Sequence, residues 1–166
     1  NELINKSKKY TIYNVSTYCI CFKIIVKILV MGLPGSGKTT FAERLQPLLN
    51  AVWINANKVR NLSNDWDFSE NGRIRQSERM KIYADFEKSH GKIVICDFIC
   101  PTSITRKNFN PDILIWMNTI KEGRFEDTNE MFEPPQYFDF QITTWNDIDH
   151  ESIAKEILDS YCVNRP

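Results

Sequence analysis

No sign of charge dominates this sequence. Lysine plus arginine and aspartate plus glutamate balance at 21 each, so the formal net charge is zero. That balance gives no overall pull towards nucleic acid or an anionic membrane. A nucleic-acid acceptor would need a large basic channel, so nucleic acid is not expected as a partner. Histidine is scarce. His90 and His150 are the two present, both near the ends of predicted elements, and both read as solvated or capping groups. The five cysteines, Cys19, Cys21, Cys96, Cys100 and Cys162, fit no zinc-ligand spacing. They read as reduced, mostly buried thiols of a cytoplasmic protein.

Long apolar runs are missing too. The most hydrophobic stretch, "YCICFKIIVKILVMG" (18–32), carries Lys23 and Lys27 and falls short of the roughly 20 apolar residues of a membrane span. It leads straight into a glycine-rich turn, which a signal peptide would not do. Repeats and low-complexity runs are absent. The Asn-, Lys- and Tyr-rich residues 1–22 read as an extension with no assigned function. Residues 23–166 are expected to form one domain, long enough for a single sizeable core.

What is present is an alternation of strands and helices. Residues 24–31, 51–55, 92–98, 112–117 and 137–143 read as strands. Helices are expected over 37–50, with Phe41, Leu45, Leu48 and Leu49 inward and Pro47 kinking or shortening the end. Further helices are expected over 72–89 and after Asp147, the last with Ile148, Ile153, Ile157 and Tyr161 at helical spacing. The stretch "DWDFSENG" (65–72) reads as a loop. This alternation predicts an α/β fold: a parallel, doubly wound sheet of about five strands in a three-layer α/β/α arrangement.

Gly32-Leu33-Pro34-Gly35-Ser36-Gly37-Lys38-Thr39 fits G-x-x-x-x-G-K-[ST] in full, between a predicted strand and a predicted helix. Its glycines let backbone N–H groups approach an anion, and the helix N-terminus adds partial positive charge. Residues 32–40, Thr40 included, are therefore expected to bind the phosphates of ATP. Lys38 would reach the β/γ-phosphates and Thr39 would ligate Mg²⁺. "IVICD" ends in Asp97, a Walker-B pattern at a strand's carboxyl end. Asp97 then joins Thr39 at the metal and Lys38 in catalysis; a cap for the next segment is its alternative role.

An acceptor site is expected beside this loop. Arg60 in "NANKVR" (55–60) follows the second strand, whose carboxyl end faces the same crevice, and could pair bidentately with an acidic substrate. Arg73, Gln76 and Arg79 recur every third residue and share a helix face. Trp66, Phe68 and Phe125 could stack on a base.

Together these pieces resemble the adenylyl-sulfate kinase family, from Lys27 to Pro135. "GLPGSGKTT" matches that family's GLSGSGKST-type loop, and "NANKVR" matches D-G-D-N-V-R in part. "DFSENGRIRQSER" echoes G-F-S-x-x-D-R-x-x-N-x-x-R, which places Phe68, Arg73, Gln76 and Arg79. "DFICP" echoes S-F-I-S-P, bringing Phe98 and Ile99 to the substrate. "FEDTNEMFEPP" loosely echoes a late stretch with Phe125 in its Phe slot. The resemblance implies a P-loop NTPase fold and a possible homodimer. It also implies transfer of the ATP γ-phosphate to the 3′-hydroxyl of adenosine 5′-phosphosulfate. Another hydroxyl acceptor, or nucleotide binding without turnover, are the alternatives. The chain departs from the family at three places. Asn55 and Asn57 replace both acidic residues of D-G-D-N-V-R. The lid shrinks to "TIKEGRFEDT", with Lys121 and Arg124 as its cations. "PTSITR" keeps only Arg106 of a longer basic pattern.

Overall fold

Strand β1 (Lys27–Met31) is buried along its whole length, Lys27 included, and it holds the centre of a five-stranded sheet. The computed structural model describes residues 24–163, so the expected extension 1–22 lies outside the described residues. Strands β2 (Val52–Asn55), β3 (Val94–Asp97), β4 (Ile113–Met117) and β5 (Phe140–Ile142) complete the sheet in the order β2-β3-β1-β4-β5. Every pairing is parallel. Parallel strands need crossovers on both faces and are buried by them, which is why β1, β3 and β4 read as continuous apolar stretches.

Two apolar clusters sandwich the sheet. Helices α1 (Lys38–Leu49) and α6 (His150–Val163) cover one face, with Phe41, Leu45 and Ile157 packed on Ile28, Val30, Ile95 and Ile115. Helices α2 (Ala56–Ser63), α3 (Glu70–Ser89) and α4 (Ser103–Phe109) cover the other, with Val59, Met80, Ala84 and Phe109 on Leu29, Met31, Val94 and Cys96. A short helix α5 (Glu126–Met131) lies beyond β4. The expected α/β/α layering and five parallel strands are present: the fold is that of a P-loop NTPase.

Three details differ from the sequence reading. Helices α2, α4 and α5 occupy stretches to which the sequence reading gave no element. Helix α3 begins two residues earlier than expected because Ser69 Oγ accepts the Gly72 N–H at 3.2 Å and caps it. Leu48 does not face the core; it is 40% exposed. Pro47 is tolerated in the last turn of α1, which Asn50 ends in the left-handed conformation. Among the described residues no helix is long and apolar enough to cross a membrane. Cys96 and Cys100 are free and buried, and burial pushes both thiols up, Cys100 to about 12. Cys19 and Cys21 lie outside the described residues.

Candidate active site

The carboxyl ends of β1, β2 and β3 meet at the turn into α1. Gly32 has φ 150, and a Cβ there would stand 2.5 Å from the Met117 carbonyl oxygen, so the loop presses against the end of β4. Thr119 Oγ1 donates to the Ser36 carbonyl at 2.7 Å and ties the loop to the same side. Gly37 is the N-cap of α1 with φ 90 and ψ 16; a Cβ there would fall 1.5 Å from the Trp145 ring. No bulkier residue fits either place. The buried Ser36 Oγ has no hydrogen-bond partner, an orphaned donor of the kind an anion in the loop would satisfy.

Lys38 Nζ folds back onto the Leu33 carbonyl at 2.8 Å. Burial pushes its ammonium down to about 8, against the opposing charge of Asp97. Thr39 Oγ1 donates to Asp97 Oδ2 at 2.7 Å. Asp97 is buried and accepts two further donors: Trp53 Nε1 on Oδ1 at 2.7 Å, and Asn55 Nδ2 on both oxygens at 2.9 and 3.1 Å. Burial raises its carboxyl above the ordinary range, while these hydrogen bonds and Lys38 pull the other way. A hydroxyl and a carboxylate side by side are hard oxygen donors suited to Mg²⁺, which keeps waters and phosphates as its remaining ligands. Among the described residues no larger cluster of metal-ligating side chains exists.

From this pair a cavity of about 650 Å³ opens towards α2, α3 and α5. The loop lines one end with Pro34, Gly35, Gly37, Lys38 and Thr39; Asp97, Phe98 and Ile99 line the floor. Asn57, Arg60, Phe68, Arg73, Gln76 and Phe125 form the far walls. Gly32, Leu33 and Ser36 are buried in the loop behind that surface, and Thr40, exposed in the first turn of α1, does not line it. Arg79 and Lys121 do not line the cavity. Arg79 is held by Gln76 Oε1 at 2.6 Å and Asp65 Oδ2 at 2.8 Å, and Lys121 is exposed. Trp66 contacts Phe68, ring centroids 6.4 Å apart, and also lies outside the lining.

Two guanidinium groups converge on Phe68. The Arg60 guanidinium lies 4.6 Å and that of Arg73 6.0 Å from its ring centre. Arg60 NH1 donates to the Asp65 and Asp67 carbonyls, each at 2.9 Å, which fixes the turn from α2 to α3. Arg73 donates from Nε to the Phe68 carbonyl at 2.8 Å, and from NH2 to Asp127 Oδ2 and Thr128 Oγ1, both at 2.9 Å. Helix α5, in the segment expected to form a short lid, is thus tied to α3. The lining also contains Ser77, Cys100, Arg124, Asp127 and Thr128. Except for the lid cation Arg124, the sequence reading gave these no role. It gave none to Trp53 either, because an indole N–H aimed at a carboxylate has no spacing signature.

The chain is similar in part of its sequence, and in its fold, to several known proteins. A probable adenylyl-sulfate kinase of Aeropyrum pernix is 34% identical over 90 residues, 49% of this chain and 48% of the relative. The chain therefore spans about half the length of the curated relative it matches. The adenylyl-sulfate (APS) kinase CysC of Mycobacterium tuberculosis, solved with AMPPNP and APS, superposes with a TM-score of 0.62 at 19% identity, over 81% of this chain and 96% of that one. Shikimate kinase of Acinetobacter baumannii, solved with shikimate, superposes at 0.53 and 17% identity, over 87% and 97%. A family model described as an AAA domain matches residues 28–115, just over half of the chain and the span from β1 to β4 that carries the phosphate loop and Asp97. The chain belongs to that AAA domain family.

Proposed function

We propose that this chain transfers the γ-phosphate of ATP to the 3′-hydroxyl of adenosine 5′-phosphosulfate. One observation carries the reading. The phosphate loop with its Thr39–Asp97 pair opens into the same cavity as the Arg60–Phe68–Arg73 stack and Phe125. Donor phosphates and an aromatic, anionic acceptor would meet there. The partial match to a probable adenylyl-sulfate kinase points the same way.

The loop N–H groups and Lys38 would hold the β/γ-phosphates. Thr39 and Asp97 would hold Mg²⁺, which when bound neutralises charge on the phosphates. Phe68 and Phe125 would take the acceptor base between them, with Phe98 and Ile99 beneath. Arg60 and Arg73 would face its anionic groups. Gln76, itself in the wall, donates to the Ala56 carbonyl at 3.1 Å and accepts from Arg79, so Arg79 supports the wall from outside. Asn57 would meet the acceptor hydroxyl; an amide can orient that hydroxyl but cannot take its proton at neutral pH. Transfer then rests on positioning and charge stabilisation, the usual resource of phosphoryl-transfer enzymes. Arg124 and Lys121 on the lid side would help exclude water when the lid closes. With its thiols reduced the chain would act in the cytoplasm, and by the resemblance it would form a homodimer, which sedimentation of the purified protein tests.

The experiment is transfer from γ-labelled ATP-Mg²⁺ to adenosine 5′-phosphosulfate, beside shikimate and gluconate, with Lys38→Ala as control. Labelled product from adenosine 5′-phosphosulfate alone, abolished in Lys38→Ala, supports the reading. Product from another acceptor instead would replace the substrate, and ATP binding without any product would leave a nucleotide-binding module.

A further inference from the structure

Asn55 and Asp97 are register partners on adjacent parallel strands. The Asn55 amide is fixed in one orientation. Its Oδ1 accepts the Lys58 N–H at 3.0 Å and caps α2, so Nδ2 must face the carboxylate. Turned over, the amide would set its NH₂ against that N–H and its oxygen against Asp97. Both residues are buried, and Asp97 receives Thr39 on one oxygen and Trp53 on the other. Thr39 Oγ1 lies 2.7 Å from Asp97 Oδ2 and 3.4 Å from Asn55 Nδ2, so a side chain from either strand end reaches it. Carboxylates at both positions would repel across about 3 Å away from bulk water.

We propose that residues 55 and 97 form one carboxylate–amide unit, in which either strand end can carry the single negative charge beside Thr39. Asn55 is then a positioning residue that aims Asp97, not a lost carboxylate. The activity arm of its test rests on the phosphotransferase reading; the stability arm does not.

Three variants decide it: Asn55→Asp, Asp97→Asn, and the exchange Asn55→Asp with Asp97→Asn. The exchange keeps the charge, the volumes, the α2 cap and the 55–97 hydrogen bond. In EDTA, Asn55→Asp should melt at least about 5 °C below the parent protein, Asp97→Asn should also melt lower, and the exchange should return most of both losses. With Mg²⁺ and ATP, Asp97→Asn should lose about 100-fold in transfer rate, and the exchange should regain at least about tenfold of that. An Asn55→Asp variant that fails to fold while the exchange folds shows the same coupling. An exchange whose melting loss equals the sum of the two single losses overturns the unit. So does one that melts normally yet transfers no better than Asp97→Asn. Coupled melting in a protein whose parent form transfers nothing supports the unit and sinks the phosphotransferase reading instead.

Discussion

Replacing Gly37 by alanine tests how the phosphate loop is built. The residue sits at φ 90 and ψ 16, where a Cβ costs about 1–2 kcal/mol in backbone strain alone. The added Cβ would also lie 1.5 Å from a carbon of the Trp145 ring, a separation no relaxation of a few tenths of an ångström can cure. The indole must leave. It is half-buried against the cluster containing Phe41 and Ile157, so its displacement forfeits a further 1–2 kcal/mol, about half the value of burying a large apolar side chain. The sum is about 2–4 kcal/mol. For a domain of this size that is roughly 5–15 °C in Tm. The assay is thermal unfolding with tryptophan emission, which also reports the displaced ring. In a Trp145→Ala background only the backbone share should remain, so Gly37→Ala should cost about half as much there. A Gly37→Ala protein melting within about 2 °C of the parent would refute the reasoning.

Two other outcomes follow from the site. Burial pushes the Lys38 ammonium in the folded protein down from the ordinary 10.5 to about 8. Between those values the unfolded chain binds more protons, so stability rises with pH there, and below about 8 the buried charge is a cost. The difference in unfolding free energy between the parent protein and Lys38→Met should therefore grow by about 3 kcal/mol from pH 8 to 10.5; urea titrations showing a flat difference would sink this account. Arg73→Ala removes the contacts to Phe68, Asp127 and Thr128. It should weaken adenosine 5′-phosphosulfate at least about tenfold while leaving ATP within about twofold; calorimetric titration showing equal losses would move Arg73 out of the acceptor wall.

The sequence made the sheet legible wherever burial on both faces demanded unbroken apolar runs, as in "ILVM" and "ILIWM". The phosphate loop was legible because its backbone geometry admits few residues. Helix α2 was hidden because it starts without a spacer: Asn55 ends β2 and caps the helix in the same residue. Helix α4 was hidden in "TSITRKNF", whose start rests on a reciprocal pair of hydrogen bonds between Thr102 and Thr105. Three-residue spacing put Arg73, Gln76 and Arg79 on one side of α3. It could not show that Asp65, brought round by the α2–α3 turn, holds Arg79 outside the cavity. Leu48 has the period of a core residue, yet α1 turns it outward one position after Pro47.

The central strand lends its side chains to both apolar clusters, Ile28 and Val30 to one and Leu29 and Met31 to the other. Its amides should therefore exchange with deuterium only when the whole molecule opens, whereas α5, six residues long with only Thr128 buried, should exchange through brief local opening. The phosphate loop hangs from the strand expected to exchange slowest, and α5 is expected among the fastest. On the proposed reading, donor recognition would rest on a part of the molecule that stays shut while the opposite wall opens.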